Sequence, residues 1–442
     1  MTATSGWIAG PGEALHGEVS VPGDKSVSHR AIMLGAIAAG VTRIEGFLEG
    51  EDTRATAAIF RQLGVRIEAP SEGVRIVHGV GLHGLQASQD PLDCGNAGTA
   101  MRLLTGLLAG QAFDSTLVGD VSLSQRPMRR VIDPLATMGA RIDSNDGHAP
   151  LCIHGGQPLR GARIDLTVAS AQLKSAVLLA GLYAGGETRI TEPHPTRDYT
   201  ERMLTAFGVP CEFAPGVAMI RGGATLHGTE VQVPADFSSA AFLLVAATLV
   251  PGSELLLRQV GMNPRRTGLL HVLRMMGADI VEEATSMQGG EPVCDLRVRH
   301  APLHGIEVPA EKVPDMIDEF PILFVAAACA QGTTSVRGAA ELRVKESDRI
   351  AVMAAGLRTL GIRIHETPDG ATIHGGKLQG GPLHESRSVI RSHGDHRIAM
   401  AFAVAAQVAD GEVVIGDVAN VATSFPGFDE LARSSGFGLR DA

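Results

Sequence analysis

The triplet Leu15-His16-Gly17 is the first of six Leu-X-Gly triplets in this chain. The triplets recur at intervals of roughly 70 residues, which indicates a repeated supersecondary unit. The other five are Leu82-His83-Gly84, Leu159-Arg160-Gly161, Leu226-His227-Gly228, Leu303-His304-Gly305 and Leu378-Gln379-Gly380. Within the repeats, a hydrophobic residue followed by glycine recurs at matching spacing: Leu63-Gly64, Met138-Gly139, Phe207-Gly208, Met276-Gly277 and Leu360-Gly361. These two signals together predict a fold built from six copies of one unit.

The first repeat predicts the order strand, helix, strand, helix, strand, strand. Residues 18–21 alternate and stop at a Pro-Gly turn, and residues 31–39 form a nearly all-apolar helix of the kind that is buried on every side. A strand over 41–44 and a second helix capped at 51–53 follow, before two short strands. The later repeats keep this order. We therefore expect an α/β protein with six βαβαββ repeats, three in each of two domains, with buried helices and outer sheets.

Composition excludes several classes of function. The chain has 442 residues, of which 44% are hydrophobic and 19% charged, and its net charge of −10 argues against a nucleic-acid partner. The five scattered cysteines form no Cys-X-X-Cys pair, and His393 and His396 have no third ligand nearby, so we predict no metal site and no other cofactor. The start of the chain lacks a signal-peptide pattern, and the longest apolar stretch, 240–250, is too short to span a bilayer. These features predict a cytoplasmic protein that does not insert into a membrane.

Polar and often cationic clusters fall at the predicted starts of the helices. The basic members are Lys25, Arg30, Arg126, Arg197, Lys345, Arg349 and Arg397. A helix N-terminus carries a partial positive charge, so each such cation costs about 0.3–1 kcal/mol, a penalty that a bound anion would reverse. We expect these cations to bind small, highly charged substrates rather than to stabilise the fold. Each residue alone has an ordinary alternative role, as a helix cap or a solvated charge.

Eight stretches resemble 5-enolpyruvylshikimate-3-phosphate synthase, a family of enolpyruvyl transferases. They occur in the family's order throughout the six repeats: Pro22-Gly-Asp-Lys-Ser-Val-Ser-His-Arg30, Gly95-Asn-Ala-Gly-Thr-Ala-Met-Arg102, Gln125-Arg-Pro-Met128, Ser170-Ala-Gln172, Thr196-Arg-Asp198, Ile317-Asp-Glu-Phe320, Glu341-Leu-Arg-Val-Lys-Glu-Ser-Asp-Arg349 and Gly394-Asp-His-Arg397. The resemblance implies an enolpyruvyl transferase-like fold with a first domain over 22–234 and a second over 1–21 plus 235–442. It also implies that the active site lies in the cleft between the domains and that the protein is a monomer.

The resemblance further implies transfer of the enolpyruvyl group of phosphoenolpyruvate to the 5-hydroxyl of shikimate 3-phosphate, with release of phosphate. Shikimate 3-phosphate would be bound by Lys25, Ser26, Arg30, Ser170, Ala171, Gln172, Arg197, Asp318 and Lys345. Phosphoenolpyruvate would be bound by Lys25, Gly98, Arg126, Gln172, Arg349 and Arg397. The catalytic residues would be Asp318, Glu346 and Lys25, with Asp318 taking the proton of the attacking hydroxyl.

Three positions bear on inhibition by glyphosate. Ala171 stands where some members carry serine, and Thr423 stands where some carry a lysine that contacts phosphoenolpyruvate. Both changes resemble the branch that includes glyphosate-tolerant enzymes. Tolerance in that branch goes with alanine at the position of Gly98, so the glycine here predicts inhibition by glyphosate in competition with phosphoenolpyruvate.

Other functions remain open at this level. The enolpyruvyl transferase acting on UDP-N-acetylglucosamine shares the six-unit fold, but that family shows Lys-Asn where this chain has Lys25-Ser26, and its reactive cysteine is missing from the loop 124–128. RNA 3′-terminal phosphate cyclases use related units, yet the acidic charge balance argues against them. A non-catalytic repeat protein that binds an anionic metabolite would leave Asp318 and Glu346 unexplained.

Overall fold

The computed structural model describes residues 6–381 and 389–442. Residues 1–5, where the predicted second domain begins, lie outside the described residues. The chain divides into two compact units. The N-unit comprises Gly23–Pro234 and Met287–Glu291, and the C-unit comprises the residues up to Pro22, Ala235–Ser286 and the residues from Pro292 onward.

The helices and strands follow one another in the order that the repeats predict. The α-helices of the described residues are α1 (Lys25–Ile37), α2 (Glu51–Gln62), α3 (Gly98–Ala109), α4 (Val121–Ser124), α5 (Arg129–Thr137), α6 (Ala171–Gly181), α7 (Tyr199–Ala206), α8 (Phe237–Leu249), α9 (Gly268–Met275), α10 (Phe320–Cys329), α11 (Arg349–Thr359), α12 (His396–Ala406) and α13 (Phe428–Ser434). Short 3-10 helices cover Ala310–Lys312, Pro314–Met316, Ala340–Val344 and Ala419–Thr423. The strands are β1 (Gly6–Gly10), β2 (His16–Val19), β3 (Ala39–Glu45), β4 (Arg66–Glu68), β5 (Val74–Val80), β6 (Leu92–Asp93), β7 (Ser115–Val118), β8 (Arg141–Asn145), β9 (His148–His154), β10 (Arg163–Asp165), β11 (Glu187–Thr191), β12 (Cys211–Ala214), β13 (Val217–Arg221), β14 (Glu230–Gln232), β15 (Glu254–Gly261), β16 (Asp279–Gln288), β17 (Glu291–Arg299), β18 (Thr333–Val336), β19 (Arg363–Thr367), β20 (Gly370–His374), β21 (Ile390–Arg391), β22 (Val413–Gly416) and β23 (Gly438–Asp441).

The described strands form six small sheets. Their strand orders are β14-β3-β5-β4, β6-β7-β9-β8 and β10-β11-β13-β12, followed by β16-β17-β15-β2, β18-β20-β19 and β21-β22-β1-β23. A parallel pair begins most sheets, as in β10 beside β11, where Ile164 lies opposite Ile190. An antiparallel hairpin such as β12–β13 completes most of the sheets, so the strand pattern within these repeats is as predicted.

Three of the described sheets take one strand from a distant part of the chain. The segment 18–21 was expected to begin the first repeat. Its first two residues lie in β2, which pairs in parallel with β15 of the fourth repeat. The first sheet instead receives β14, which pairs with β3. The sixth sheet is built around β1, a strand that the repeat pattern did not predict, paired with β22 and β23. The repeat pattern therefore indicated strands without indicating their partners, because an alternating pattern identifies a strand but not the strand beside it.

In each unit the apolar helices form the core. The nearly all-apolar helices α1, α3 and α6 are almost completely buried in the N-unit, as are α8, α10 and α12 in the C-unit. The packing of α3 on α6 depends on Gly106, because a Cβ there would lie 2.0 Å from the carbonyl oxygen of Ala176. Burial on all sides fixes the position of each helix N-terminus, and several predicted site residues lie at those N-termini: Lys25, Gly98, Ser170 and Arg397.

Candidate active site

In the N-unit, the buried guanidinium of Arg30 is held by three helix starts. Its Nε donates to Thr200 Oγ1 at 2.7 Å, its Nη2 donates to Ser175 Oγ at 2.8 Å, and its Nη1 donates to the carbonyl oxygen of Ser26 at 2.9 Å. Burial, with the neighbouring charge of Arg197, lowers the pKa of Arg30 to about 10. The side chain remains a cation at neutral pH, fixed beside the first turn of α1.

Lys25 begins α1 and forms an ion pair with Asp52, a buried residue in the first turn of α2. The sequence placed Asp52 only among the capping residues of that helix. Its carboxylate therefore supplies a partner that the spacing of residues did not reveal. The side chain of Lys25 is only 20% exposed, and a largely buried ammonium group needs an anionic partner, so burial of Lys25 predicts a carboxylate nearby.

Gly98, the first residue of α3, lies against two guanidinium groups. A Cβ at this position would be 3.0 Å from Arg126 Nη1 and 3.2 Å from Arg102 Nη1. Arg126 Nη2 donates to Asn96 Oδ1 at 2.6 Å, while Arg102 Nη1 donates to Gln172 Oε1 at 2.6 Å. The structure thus brings together Gly98, Arg126 and Gln172 as predicted. It adds Arg102, which the sequence analysis quoted within a motif but did not assign to the site.

Ser170 and Ala171 lie where α6 begins. Ser170 caps the helix, its hydroxyl accepting from the backbone N–H of Leu173 at 3.4 Å. The partly exposed Arg197 lies two residues before α7 begins. Ser170 and Arg197, two of the residues predicted to bind shikimate 3-phosphate, therefore lie at or just before helix N-termini, where backbone N–H groups favour an anion.

In the C-unit, cations surround the carboxylate of Asp318. Its Oδ2 lies 3.2 Å from Arg266 Nη1, and its Oδ1 lies 3.4 Å from Lys345 Nζ and 3.5 Å from Arg349 Nη1. Arg397 Nη1 donates to the carbonyl oxygen of Asp318 at 3.1 Å. The structure brings these predicted residues together and adds Arg266, which the sequence analysis had not singled out.

Arg349 is almost fully buried at the start of α11. Its Nε donates to Asp395 Oδ2 at 2.8 Å and its Nη2 donates to Glu346 Oε2 at 2.7 Å. Burial alone would lower the pKa of Arg349, but the charges of Asp395, Glu346 and Asp318 outweigh burial and raise it. Asp395 is completely buried and also caps α12, accepting from the backbone N–H of Arg397 at 3.0 Å.

These contacts correct one expectation. The cations at the helix starts were expected to have no structural role, yet several have carboxylate partners within their own unit. Lys25 is paired with Asp52, Arg349 with Asp395, and Arg397 Nη1 lies 3.5 Å from Glu319 Oε1. Each cation therefore gains a local partner that offsets the unfavourable helix dipole.

A family model for EPSP synthase (3-phosphoshikimate 1-carboxyvinyltransferase) matches residues 10–431. The chain belongs to the EPSP synthase family. The 3-phosphoshikimate 1-carboxyvinyltransferase of Xanthomonas euvesicatoria pv. vesicatoria is 67% identical over 442 residues, covering 100% of this chain and 99% of that protein. The corresponding protein of Xanthomonas campestris pv. campestris is 67% identical over 438 residues, covering 99% of this chain and 98% of that protein.

Solved structures agree with this membership. The chain is similar to an EPSP synthase from Acinetobacter baumannii with a TM-score of 0.88 and 51% identity, covering 99% of this chain and 100% of the other. The enolpyruvyl transferase NikO from Streptomyces tendae is 19% identical with a TM-score of 0.77, covers 99% of both chains, and shows the fold alone. The predicted enolpyruvyl transferase-like fold is therefore confirmed.

The predicted activity is also confirmed by the EPSP synthase family. The chain is a transferase of the shikimate pathway, in aromatic amino acid biosynthesis, and its substrates are phosphoenolpyruvate and shikimate 3-phosphate. Membership of the EPSP synthase family excludes the three alternative functions: a UDP-N-acetylglucosamine transferase, an RNA phosphate cyclase and a non-catalytic repeat protein. No helix among residues 6–381 and 389–442 is long and apolar enough to cross a membrane.

His29, next to Arg30 in α1, makes the stability of the folded protein depend on pH. It is buried, with Nδ1 2.8 Å from Thr56 Oγ1, and burial together with Lys25 and Arg30 lowers the pKa of His29 well below 6.5. The unfolded chain would bind this proton as the pH falls through about 6.5, whereas the folded chain would not. Stability from His29 is therefore present above that pH and is lost below it.

We expect the free energy of unfolding to fall below pH 6.5, with His29 contributing up to about 1.4 kcal/mol per pH unit. Urea denaturation at pH 7, 6 and 5 would measure this slope in the wild type and in His29→Gln. The variant should have a shallower slope, because glutamine does not titrate. Identical slopes would contradict the burial of a neutral His29.

Proposed function

We propose that residues of both units act on the same pair of substrates, and that Asp318 is the base of the transfer. The observation that carries this proposal is the placing of Asp318 within 3.5 Å of both Lys345 and Arg349. A carboxylate can accept the proton of an attacking hydroxyl, and the cations around it attract anionic substrates.

Shikimate 3-phosphate would be bound mainly by residues of the N-unit. Ser26 and Ser170 lie at the starts of α1 and α6, whose N–H groups and dipoles favour a phosphate or carboxylate. Arg197 precedes α7, and Arg30 is fixed by its hydrogen bonds to Ser175 and Thr200. Ala171 and Gln172 line this position, and Lys25, Lys345 and Asp318 complete the proposed set.

Phosphoenolpyruvate would be bound by cations from both units. Arg126 and Gly98 lie together at the start of α3, with Gln172 linked to them through Arg102. Arg349 and Arg397 lie at the starts of α11 and α12 of the C-unit. Lys25 would contact both substrates.

The proposed reaction is an addition followed by an elimination. The 5-hydroxyl oxygen of shikimate 3-phosphate bonds to C2 of phosphoenolpyruvate, its proton passes to Asp318, and the C3 methylene accepts a proton to become a methyl group. Loss of a methyl proton then expels phosphate and leaves the enol ether. Glu346 and Lys25 would transfer the protons at C3 and at the departing phosphate, the role for which a positioned acid–base group is needed.

Phosphate release tests this function directly. Purified protein would be given phosphoenolpyruvate alone, shikimate 3-phosphate alone, both together, and phosphoenolpyruvate with UDP-N-acetylglucosamine. We expect release only when phosphoenolpyruvate and shikimate 3-phosphate are both present. Release with the nucleotide sugar, or none with the expected pair, would contradict the proposed substrate assignment.

Inhibition by glyphosate forms part of this proposal and depends on Gly98. Glyphosate is one atom longer than phosphoenolpyruvate between phosphorus and carboxyl carbon, so it needs more room between the groups that bind its two ends. In Gly98→Ala the new methyl group would press on Arg126 and Arg102, at 3.0 and 3.2 Å. We expect the inhibition constant for glyphosate to rise by about 10–200-fold, the usual effect of one methylene in a tight pocket, with a smaller rise in KM for phosphoenolpyruvate.

Gly185→Ala provides a matched control, because its Cβ would meet only the carbonyl oxygen of Leu159, at 3.8 Å. Inhibition constants from competition kinetics should be unchanged in this control. A wild-type protein that glyphosate does not inhibit, or a Gly98→Ala variant inhibited equally, would contradict the proposal.

The same proposal includes a cytoplasmic monomer. Cys94, Cys152, Cys211, Cys294 and Cys329 are free thiols, as expected in a reducing compartment. Burial raises the pKa of Cys329 to about 12, so this thiol stays protonated and unreactive at neutral pH. Light scattering on the purified protein would measure its oligomeric state.

A further inference from the structure

The third repeat contains a buried ion cluster that the proposed reaction does not use. Lys174 lies on α6, Glu192 directly follows β11 and Glu201 lies on α7, and their side chains are only 4%, 0% and 2% exposed. We call Lys174, Glu192 and Glu201 the buried triad. Lys174 Nζ donates to Glu201 Oε1 at 2.8 Å, Glu192 Oε2 at 3.0 Å and the carbonyl oxygen of Thr196 at 3.3 Å. All three ammonium protons are therefore used.

Stability alone does not account for the buried triad. Replacing a buried ion cluster by apolar residues of similar volume is often neutral or stabilising, because the charges must be removed from water. Burial raises the pKa of Glu201 despite the attraction of Lys174, which shows that desolvation is costly at this place. Burial also acts to lower the pKa of Lys174, but Glu201 and Glu192 outweigh it and raise that pKa.

What the triad holds is the backbone next to Arg197. Glu192 Oε2 accepts from the backbone N–H of Thr196 at 3.3 Å, and Glu192 Oε1 accepts from its hydroxyl. Because Lys174 also binds the carbonyl oxygen, every polar group of Thr196 is bonded to the triad. Residues 193–198 form neither helix nor strand, so these bonds replace the regular structure that would otherwise fix Arg197.

The same two helix starts also hold Arg30. Ser175 follows Lys174 on α6, Thr200 precedes Glu201 on α7, and the Thr200 hydroxyl donates to Ser175 Oγ at 2.7 Å. Both hydroxyl groups accept from the guanidinium of Arg30. Near their N-terminal ends, α6 and α7 are thus joined by two adjacent contacts: the ion pair of Lys174 with Glu201 and the hydrogen bond of Thr200 with Ser175.

We propose that Lys174, Glu192 and Glu201 are positioning residues that fix Arg197 for shikimate 3-phosphate and so set the affinity for that substrate. This inference rests on the proposed role of Arg197. The triad touches no substrate; it orders the segment from which Arg197 extends. Misplacing a binding group by about 1 Å can cost on the order of a hundredfold, so loss of the triad should be visible in binding.

The test compares shikimate 3-phosphate binding in variants of the full chain. Lys174→Met leaves two buried carboxylates without their cation and could unfold the protein. We therefore add the neutral triple variant Lys174→Met/Glu192→Gln/Glu201→Gln. Two milder variants, Glu192→Gln and Thr196→Val, complete the series. Titration calorimetry would measure the Kd for shikimate 3-phosphate, and steady-state kinetics the KM for each substrate. We expect Kd and KM for shikimate 3-phosphate to rise about 10–100-fold in the triple variant, with KM for phosphoenolpyruvate nearly unchanged.

Two controls separate positioning from general loosening. Val177→Ala removes a buried side chain of the same helix and should leave the Kd for shikimate 3-phosphate unchanged. In an Arg197→Ala background, the triple variant should raise the Kd for shikimate 3-phosphate little further, because a residue that acts through Arg197 has no effect when Arg197 is absent. The inference would be overturned if the effects of the triple variant and of Arg197→Ala on the Kd were additive, or if binding of both substrates were weakened equally. Wild-type affinity for shikimate 3-phosphate in a folded triple variant would also overturn it. A wild-type protein that fails to bind shikimate 3-phosphate, or an Arg197→Ala variant with normal affinity, would contradict the proposed function itself.

Discussion

Replacing Asp318 by asparagine is expected to lower kcat by about 10²–10⁴-fold, the usual contribution of a positioned general base. Asparagine preserves the shape of the side chain but cannot accept the proton of the attacking hydroxyl at neutral pH. The carbonyl oxygen of Asp318 would still accept from Arg397 Nη1, so the backbone of the site should remain in place. Steady-state phosphate release would measure kcat, and calorimetry would show whether shikimate 3-phosphate still binds.

Asp315→Asn is the matched control, because Asp315 lies three residues earlier and its carboxylate, like that of Asp318, lies close to an arginine. Its Oδ2 lies 3.6 Å from Arg265, and it has no assigned role in the reaction. We expect Asp315→Asn to retain most of the wild-type kcat. Equal losses in the two variants would mean that Asp318 acts through structure, and normal turnover in Asp318→Asn would eliminate it as the base.

Removing the carboxylate of Asp395 is expected to produce the largest loss of stability. Asp395→Ala leaves the Nε of the buried Arg349 without its partner and removes the cap of α12. Breaking a buried ion pair costs about 3–5 kcal/mol, to which a lost cap adds about 1 kcal/mol. Urea denaturation would measure the change in the free energy of unfolding.

Asp348 offers the comparison that isolates the buried ion pair. It caps α11, accepting from the backbone N–H of Ala351 at 3.0 Å, but its side chain is 36% exposed. Asp348→Ala should therefore cost the cap, about 0.5–2 kcal/mol, together with a part-exposed ion pair to Arg343 that contributes about 0–1 kcal/mol. If Asp395→Ala were no more destabilising than Asp348→Ala, the burial of the Arg349–Asp395 pair would contribute nothing measurable.

The sequence predicted the units of the fold better than their assembly. Apolar runs such as 31–39 identified the buried helices because their composition leaves no face for water. The repeat pattern alone does not predict the exchange of β2 and β14 between the first and fourth sheets, since strand pairing is decided by contacts far apart along the chain. The strand β1 was missed because it precedes the first Leu-X-Gly triplet.

In the candidate site, too, the sequence indicated individual residues better than the contacts between them. Basic residues at a helix start, such as Lys25, Arg349 and Arg397, were singled out from their position, whereas Ser170 was proposed only from the family resemblance. The partners of the site residues were not singled out, because these come from other repeats or helices. Asp52 pairs with Lys25 from α2, and Arg266 contacts Asp318 from the fourth repeat.

We propose that residues of both units bind the same two substrates. A crystal structure of the Asp318→Asn variant with shikimate 3-phosphate and phosphoenolpyruvate bound would test it most directly. We expect shikimate 3-phosphate to contact Ser26, Ser170 and Arg197, and phosphoenolpyruvate to contact Arg126 together with Arg349 and Arg397. Substrates bound only by residues of one unit, or away from these side chains, would contradict the account.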